Sequence, residues 1–306
     1  MSIKEYTLVE INRLIRAGEL LNQNMLWSPL ALVGTSLSIA GAGGSTPAIA
    51  ALTSQNIAYT EGGNSDLRVY RFDYGTGIWS SVEFDLPITT MGVPTLTALN
   101  ATDIAFYDST NNELRMYRFT DPNWALVGNG FTLAGGIAAL AALNGTDVVF
   151  IDGVNNSLRV YRFTDPNWAQ VGNGLSVTVG APQLAMMTTT DVALSSNDGS
   201  LRWYHWDGTD WALVGNLFSD PTSGNNSLAA LNATDVVYMK QGGITAVYRF
   251  DGADWSLVGL VSDIVSGTPG ITALNGTDIA HFDGTLLSTF RFGFSLNKPP
   301  TPPLNL

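Results

Sequence analysis

Cysteine is absent from the 306 residues, so neither a disulfide framework nor thiol chemistry is available. Histidine occurs only as His205 and His281, in different parts of the chain. No Gly-x-Ser-x-Gly elbow, metal-ligand cluster or phosphate-binding loop appears. The Asp-rich turns do not follow the Asp-x-Asp/Asn-x-Asp/Asn-Gly calcium pattern. Segments such as Asp108–Asn112 and Asp152–Asn156 read as ordinary hairpin turns. In Ser196-Asn197-Asp198-Gly199 the glycine comes one place too early for a sialidase Asp-box. No pair of carboxylates stands out for glycoside cleavage. We therefore expect no catalysis, no metal and no cofactor.

Positive charge is scarce too. Fourteen Lys and Arg face 26 Asp and Glu, for a net charge of −12. Phosphate binding needs clustered basic residues, so nucleic acid is not expected as a partner. An anionic membrane surface is disfavoured on the same ground. No apolar run approaches the ~20 residues of a membrane helix, so membrane insertion is not expected. Met1–Glu5 opens no long apolar stretch, which predicts no signal peptide. The expectation is synthesis in the cytoplasm, with any exterior location reached as part of a virion or similar particle.

What is present is repetition. Asp103, Asp147, Asp191, Asp235 and Asp278 recur about every 44 residues, a period that suggests propeller blades or helical arrays. All but Asp191 close an Ala-Leu-Asn-Ala/Gly-Thr-Asp segment, and a weaker sixth copy begins at Ala51. Trp79, Trp124, Trp168, Trp211 and Trp255 keep the same step.

The copy at 135–173 decides the secondary structure. Gly135–Leu143 is small and apolar, and Asp147–Ile151 is β-branched and aromatic. Leu158–Phe163 alternates, with Leu158, Val160 and Arg162 on one face and Arg159, Tyr161 and Phe163 on the other. Trp168–Val171 is a fourth strand, closed by Gly172. Asn144-Gly145 reads as a tight hairpin turn. Four strands joined by three short turns make one propeller blade. The Ala- and Gly-rich first strand suits the crowded central channel.

Six copies fit between Leu30 and Gly293. The last copy lacks its Trp strand, and Leu30-Ala31-Leu32-Val33-Gly34 matches Trp124-Ala125-Leu126-Val127-Gly128. We expect the N-terminal strand to complete the last blade and close the ring; Phe294–Leu296 is the rival for that place. Closure also pairs edges that would otherwise be free.

The predicted organisation is an all-β, six-bladed β-propeller of four-stranded blades over residues 27–293. An N-terminal docking helix and arm occupy 1–26, and a Pro-rich tail occupies 294–306. Thr7 and Glu10 form a capping box, and Leu8, Ile11, Leu14 and Ile15 make an apolar stripe. So short a helix must dock on something, either its own propeller or a larger protein assembly.

Nine of the eleven arginines lie on third strands: Arg68, Arg71, Arg115, Arg118, Arg159, Arg162, Arg202, Arg249 and Arg291. They either pair with the repeated aspartates or form sugar pockets with the tryptophans between blades. His205 takes an arginine slot and is expected to pack. The tryptophans either fill the gaps between blades or stack on pyranose rings. The binding reading assigns Trp79, Trp124, Trp168, Trp211, Trp255, Arg68, Arg115, Arg159 and Arg202 to ligand. Asn-x-Ser/Thr sequons at Asn100, Asn144, Asn232 and Asn275 fall on one repeated turn and are explained by turn chemistry.

The Arg-Val-Tyr strands at Arg68–Tyr70 and Arg159–Tyr161, followed by a Trp strand, resemble six-bladed propeller lectins of the fungal fucose-binding type. That resemblance implies that Arg and Trp contact sugar. The Thr-, Asn- and Gly-rich composition and the docking helix also resemble propeller modules of phage virions, which implies a tail or spike component touching a host surface receptor. The function expected is a non-catalytic module that recognises surface glycans; the alternative is a purely structural virion or assembly protein attached through residues 1–26.

Overall fold

In the computed structural model, the structure describes residues 25–27, 31–39, 48–60, 66–82, 86–87, 95–178, 180–219, 226–240, 245–261, 270–283 and 285–296. The expected N-terminal helix, with Leu8, Ile11, Leu14 and Ile15, and the tail beyond residue 296 lie outside them.

Six antiparallel sheets of sequential strands form the ring. Blades span 48–81, 95–132, 137–176, 183–219, 226–261, and 270–291 with 31–38. The first blade carries a fifth short strand, Leu86–Pro87, paired with Asp66 and Leu67. The third blade shows the plan. Ile137–Ala142, Asp147–Asp152, Ser157–Thr164 and Asn167–Ser176 pair in chain order from the channel outward. Both faces of the middle strands are buried because each packs on a neighbouring blade. Val148 and Phe150 join Ala105 and Tyr107 of the second blade. Val149 and Ile151 join Val192 and Leu194 of the fourth. The first strands surround a central channel of about 630 Å³, lined by residues such as Ala50, Ala98, Ala141, Ala185, Ala229 and Ala273.

The ring closes as the sequence pattern implies. Ala31–Ser38 is the outer strand of the last blade, with Ala31 opposite Arg291 and Ser38 opposite Leu286. Phe294–Leu296 does not take that place. It pairs with Met25–Trp27 in a separate two-stranded ribbon. The segments flanking the ring therefore meet at one position, and these two strands extend beyond the 27–293 bounds read from the repeat.

Two turn readings change. Gly172 does not close the outer strand, which runs on to Ser176 through a bulge whose register shifts between Leu158 and Val160. Gly128, Gly172 and Gly215 adopt left-handed φ of 69°, 62° and 68°, which glycine reaches without a Cβ penalty. The residue after each one clasps the next blade. Asn129 N donates to Pro166 O, Asn173 N to Thr209 O and Asn216 N to Ala253 O, each at 2.7 Å. The side chains add Asn173 Nδ2 to Asp210 Oδ1 at 2.9 Å and Asn216 Nδ2 to Asp254 Oδ1 at 2.7 Å. At the closing seam Thr35 N donates to Gly77 O at 2.8 Å.

Asn144-Gly145 is not a two-residue turn of left-handed residues. Gly145 has no left-handed φ, and Leu143 N reaches Asp147 O at 2.8 Å across a wider loop. That explains why alanine follows asparagine at Asn100-Ala101 and Asn232-Ala233: the loop uses the Asn side chain, not a special backbone.

Candidate functional site

Two belts of arginine lie at opposite ends of the strands. The first surrounds the turns between first and second strands. Asn144 Oδ1 accepts hydrogen bonds from Thr146 N and Asp147 N at 2.9 Å and from Thr146 Oγ1 at 3.0 Å. Asn144 Nδ2 donates to Asp147 Oδ2 at 3.1 Å. The carboxylate then receives Arg162, Nε to Oδ1 and Nη2 to Oδ2, both at 2.7 Å. Such two-point pairs are short and directional.

The unit recurs as Arg118 on Asp103, Arg249 on Asp235 and Arg291 on Asp278, with Nε to Oδ1 distances of 2.7, 2.6 and 2.7 Å. In the first blade Arg71 Nε donates to Asn56 Oδ1 at 3.0 Å. In the fourth, His205 Nδ1 lies 2.7 Å from Asp191 Oδ1. His205 is 45% exposed at the side chain and takes over the arginine's bond rather than packing, which corrects the expectation for it. Arg118, Arg162, Arg249 and Arg291 are thus tied into the turns of their own blades.

Burial is the largest influence on Asp147 and would raise its pKa. The bonds from Arg162, Asn144 and Thr146 outweigh it and hold the carboxyl below its ordinary value. The same balance lowers Asp103, Asp191 and Asp278, with His205 and Thr188 among the donors at Asp191. An Asp147→Ala variant strips the partner from Arg162 and from the Asn144 and Thr146 donors. We expect a loss of about 2 kcal/mol, read by urea denaturation. Arg162→Ala should cost less, because the arginine is half exposed and Asp147 keeps its turn donors. Equal losses would show that the aspartate does not organise the turn.

The second belt holds the arginines assigned to ligand. Each stands where the ladder to the outer strand is interrupted. Arg159 lies between the pairs Leu158–Leu175 and Val160–Val171, opposite the bulge. Arg115 and Arg202 hold the matching places. Their partners differ. Arg115 gives Nε and Nη2 to Glu113 Oε2 at 2.9 and 2.6 Å, with Asp108 at 3.5 Å. Arg159 has Asp152 at 3.5 Å, and its Nε is buried without an acceptor. Arg202 Nη1 donates to Thr178 O at 2.9 Å. Arg68 lies 3.4 Å from Asp66. The fifth and sixth blades carry Ala246 and Ser288 at this position. The fold does not require arginine there.

Trp79, Trp124, Trp168, Trp211 and Trp255 are 3–7% exposed. Trp124 and Trp168 pack on Phe119 and Phe163 with ring centroids 5.1 Å apart. They fill space beside the blades and offer no open ring face, so the structure does not join them to the arginines in a stacking pocket. The sequence signal that could have shown this is the aromatic residue facing each Trp across the turn between third and fourth strands: Phe72, Phe119, Phe163, Trp206 and Phe250.

No ionisable side chain among the described residues lines the central channel. Among the described residues, no group of three His, Cys, Asp or Glu could hold a metal ion. None of their helices is long and apolar enough to cross a membrane. Asp108 and Asp152 act within their turns. Asp152 Oδ1 accepts Val154 N at 2.9 Å and Asn155 N at 3.3 Å.

These features define a six-bladed β-propeller with a structural Arg–Asp belt on one face and a variably partnered arginine belt on the other. No protein-family model matches the chain, and no curated protein matches it in sequence. Solved propellers match it in shape. A putative 6-phosphogluconolactonase from Bacteroides uniformis is similar at 11% identity and a TM-score of 0.60, over 88% of this chain and 92% of that one. A catalytically inactive virginiamycin B lyase from Staphylococcus aureus, with quinupristin, is similar at 13% identity and 0.57, over 86% and 99%. At such identities the likeness is one of fold alone.

Proposed function

We propose that this propeller is a non-catalytic recognition module that binds surface glycan at its second arginine belt, as part of a virion or similar particle. One observation carries the reading. A residue the fold depends on keeps one kind of partner from copy to copy, as the Arg–Asp corner does in four blades, with Asn56 or His205 standing in for one member in the other two. The partner sets of Arg68, Arg115, Arg159 and Arg202 vary from blade to blade, and two blades dispense with arginine there. Their side chains are 20%, 25% and 28% exposed for Arg68, Arg115 and Arg159, open enough to offer donors to hydroxyl or carboxyl groups. The buried tryptophans contribute stiffness rather than contact.

A glycan array with the full-length protein tests this. Binding should fall at least tenfold in an Arg115→Gln/Arg159→Gln variant whose melting temperature is unchanged. No binding on the array and none by calorimetry would remove the glycan reading.

A second reading, a structural assembly protein, is favoured by the ribbon of Met25–Trp27 with Phe294–Leu296. It gathers the flanking segments at one point, suited to attachment. Deleting residues 1–24 would then abolish assembly and leave a folded ring.

A further inference from the structure

The second and third blades are close copies, and they serve as a comparison built into one molecule. Glu113-Leu114-Arg115 in one is Ser157-Leu158-Arg159 in the other. Gly130 and Gly174 hold the matching place on the outer strand. The chemistry around the two arginines differs by one carboxylate.

In the second blade that carboxylate is Glu113. It takes both Nε and Nη2 of Arg115 and lies over Gly130, where a Cβ would meet Glu113 Oε2 at 3.0 Å. In the third blade Ser157 cannot reach. A Cβ on Gly174 would meet Arg159 Cγ at 3.3 Å and Nε at 3.6 Å, whereas on Gly130 the Glu113 carboxylate comes first and Arg115 Cγ lies 3.6 Å away. Nε is buried and finds no acceptor. A guanidinium nitrogen taken out of water without an acceptor is costly, and the copy next door shows what satisfies it.

Charge points the same way. Arg115 accommodates two carboxylates, Asp108 at 3.5 Å and Glu113 at 2.6 Å. Arg159 has one, Asp152 at 3.5 Å. A second anion there restores an arrangement this chain already folds around, despite its overall negative charge.

We infer that Arg159, partly exposed on the face of the third blade that packs on the second, binds the carboxylate of an acidic sugar such as a sialic or uronic acid. The inference rests on the glycan reading above and specifies it. The ligand carboxylate takes the place of Glu113, receiving Nε and Nη2 side by side. It gives the Arg159 guanidinium the paired geometry that Arg115 has with Glu113. Arg115 is already satisfied by Glu113 and does not receive the ligand carboxylate.

Calorimetry on the full-length protein tests this with the methyl α-glycoside of N-acetylneuraminic acid, its carboxyl methyl ester, sodium acetate and a panel of neutral glycans. The acid should bind at least tenfold more tightly than the ester, since charge-assisted bonds to one group are worth a factor of that size. Ser157→Glu supplies the carboxylate internally, as Glu113 does, and should abolish binding with no fall in melting temperature. Arg159→Gln should abolish it as well.

Equal binding of acid and ester, or full binding by Ser157→Glu, would overturn the inference. Acetate binding as tightly as the sugar would remove the sugar from it. Binding of neutral glycans without the acid would sink the inference and leave the glycan reading standing. Silence from every sugar would end both.

Discussion

Gly34→Ala should lower the free energy of unfolding by about 4 kcal/mol, while Gly252→Ala should lower it by only about 1–2 kcal/mol. Both glycines have left-handed φ, 73° and 102°, so both substitutions carry the backbone penalty of an L-residue there. They differ in what the new methyl meets. A Cβ on Gly252 has nothing within 4 Å. On Gly34 it falls inside the carbonyl of Gly77, which is backbone and cannot rotate aside. The other side is tight as well, where a Cβ on Gly77 would lie 2.7 Å from Gly34 Cα. That contact is also the closing seam, where Thr35 N donates to Gly77 O. Losing it frees the edges that closure pairs. Urea denaturation of the two variants beside the wild type measures the difference. Similar losses would mean that the seam relaxes without cost and that closure does not depend on two facing glycines.

Acid should destabilise the ring well above the range in which its aspartates titrate, and His281→Phe should remove that effect. His281 is 1% exposed, and Phe106 and Phe150 hold the equivalent place in other blades. Burial lowers its pKa from 6.5 to about 4, against a small upward pull from Asp283. Between those values the unfolded chain binds a proton that the folded chain refuses, so stability falls as pH falls through the window. The full loss, reached near pH 4, is about 3 kcal/mol.

The depressed carboxyls of Asp103, Asp147, Asp191 and Asp278 behave differently. Their contribution is complete above the unfolded carboxylate pKa and disappears only as pH drops through their lowered values. Denaturation curves at pH 7 and pH 4.5 separate the two effects. A variant whose slope matches the wild type would show that His281 is protonated in the folded ring.

Repetition made most of the architecture readable. The blade count, the small inner strands and the completion of the last blade by Ala31–Ser38 followed from matching copies. The docking helix falls on residues 7–18, outside the described structure. What escaped the sequence depends on how one residue type can serve two ends. Glycine in Val-Gly-Asn looked like a terminator, yet it turns a bulge that continues the strand and positions the asparagine on the next blade. Asparagine before glycine looked like a tight turn, yet its amide side chain organises a wider one.

The arginines were the hardest part. A Leu-Arg-x-Tyr-Arg-Phe strand shows two arginines on opposite faces, but not that one meets an aspartate and the other a bulge. Pairing register decides that, and register is a property of the assembled sheet. The tryptophans were ambiguous for a related reason: their burial depends on the aromatic residue across the turn.

The composite last blade also sets how the ring responds to tension. Ala31 lies opposite Arg291, so the chain enters and leaves the propeller at the same end of one antiparallel pair. The bonds of such a pair run perpendicular to the strands. A pull on both flanks therefore loads them one after another, like a zipper, and not all together in shear. The same strands resist far better when force arrives through only one flank and the opposite rim. A particle hung from both ends of this chain would open its ring under light load, whereas one held by a single end would keep it shut.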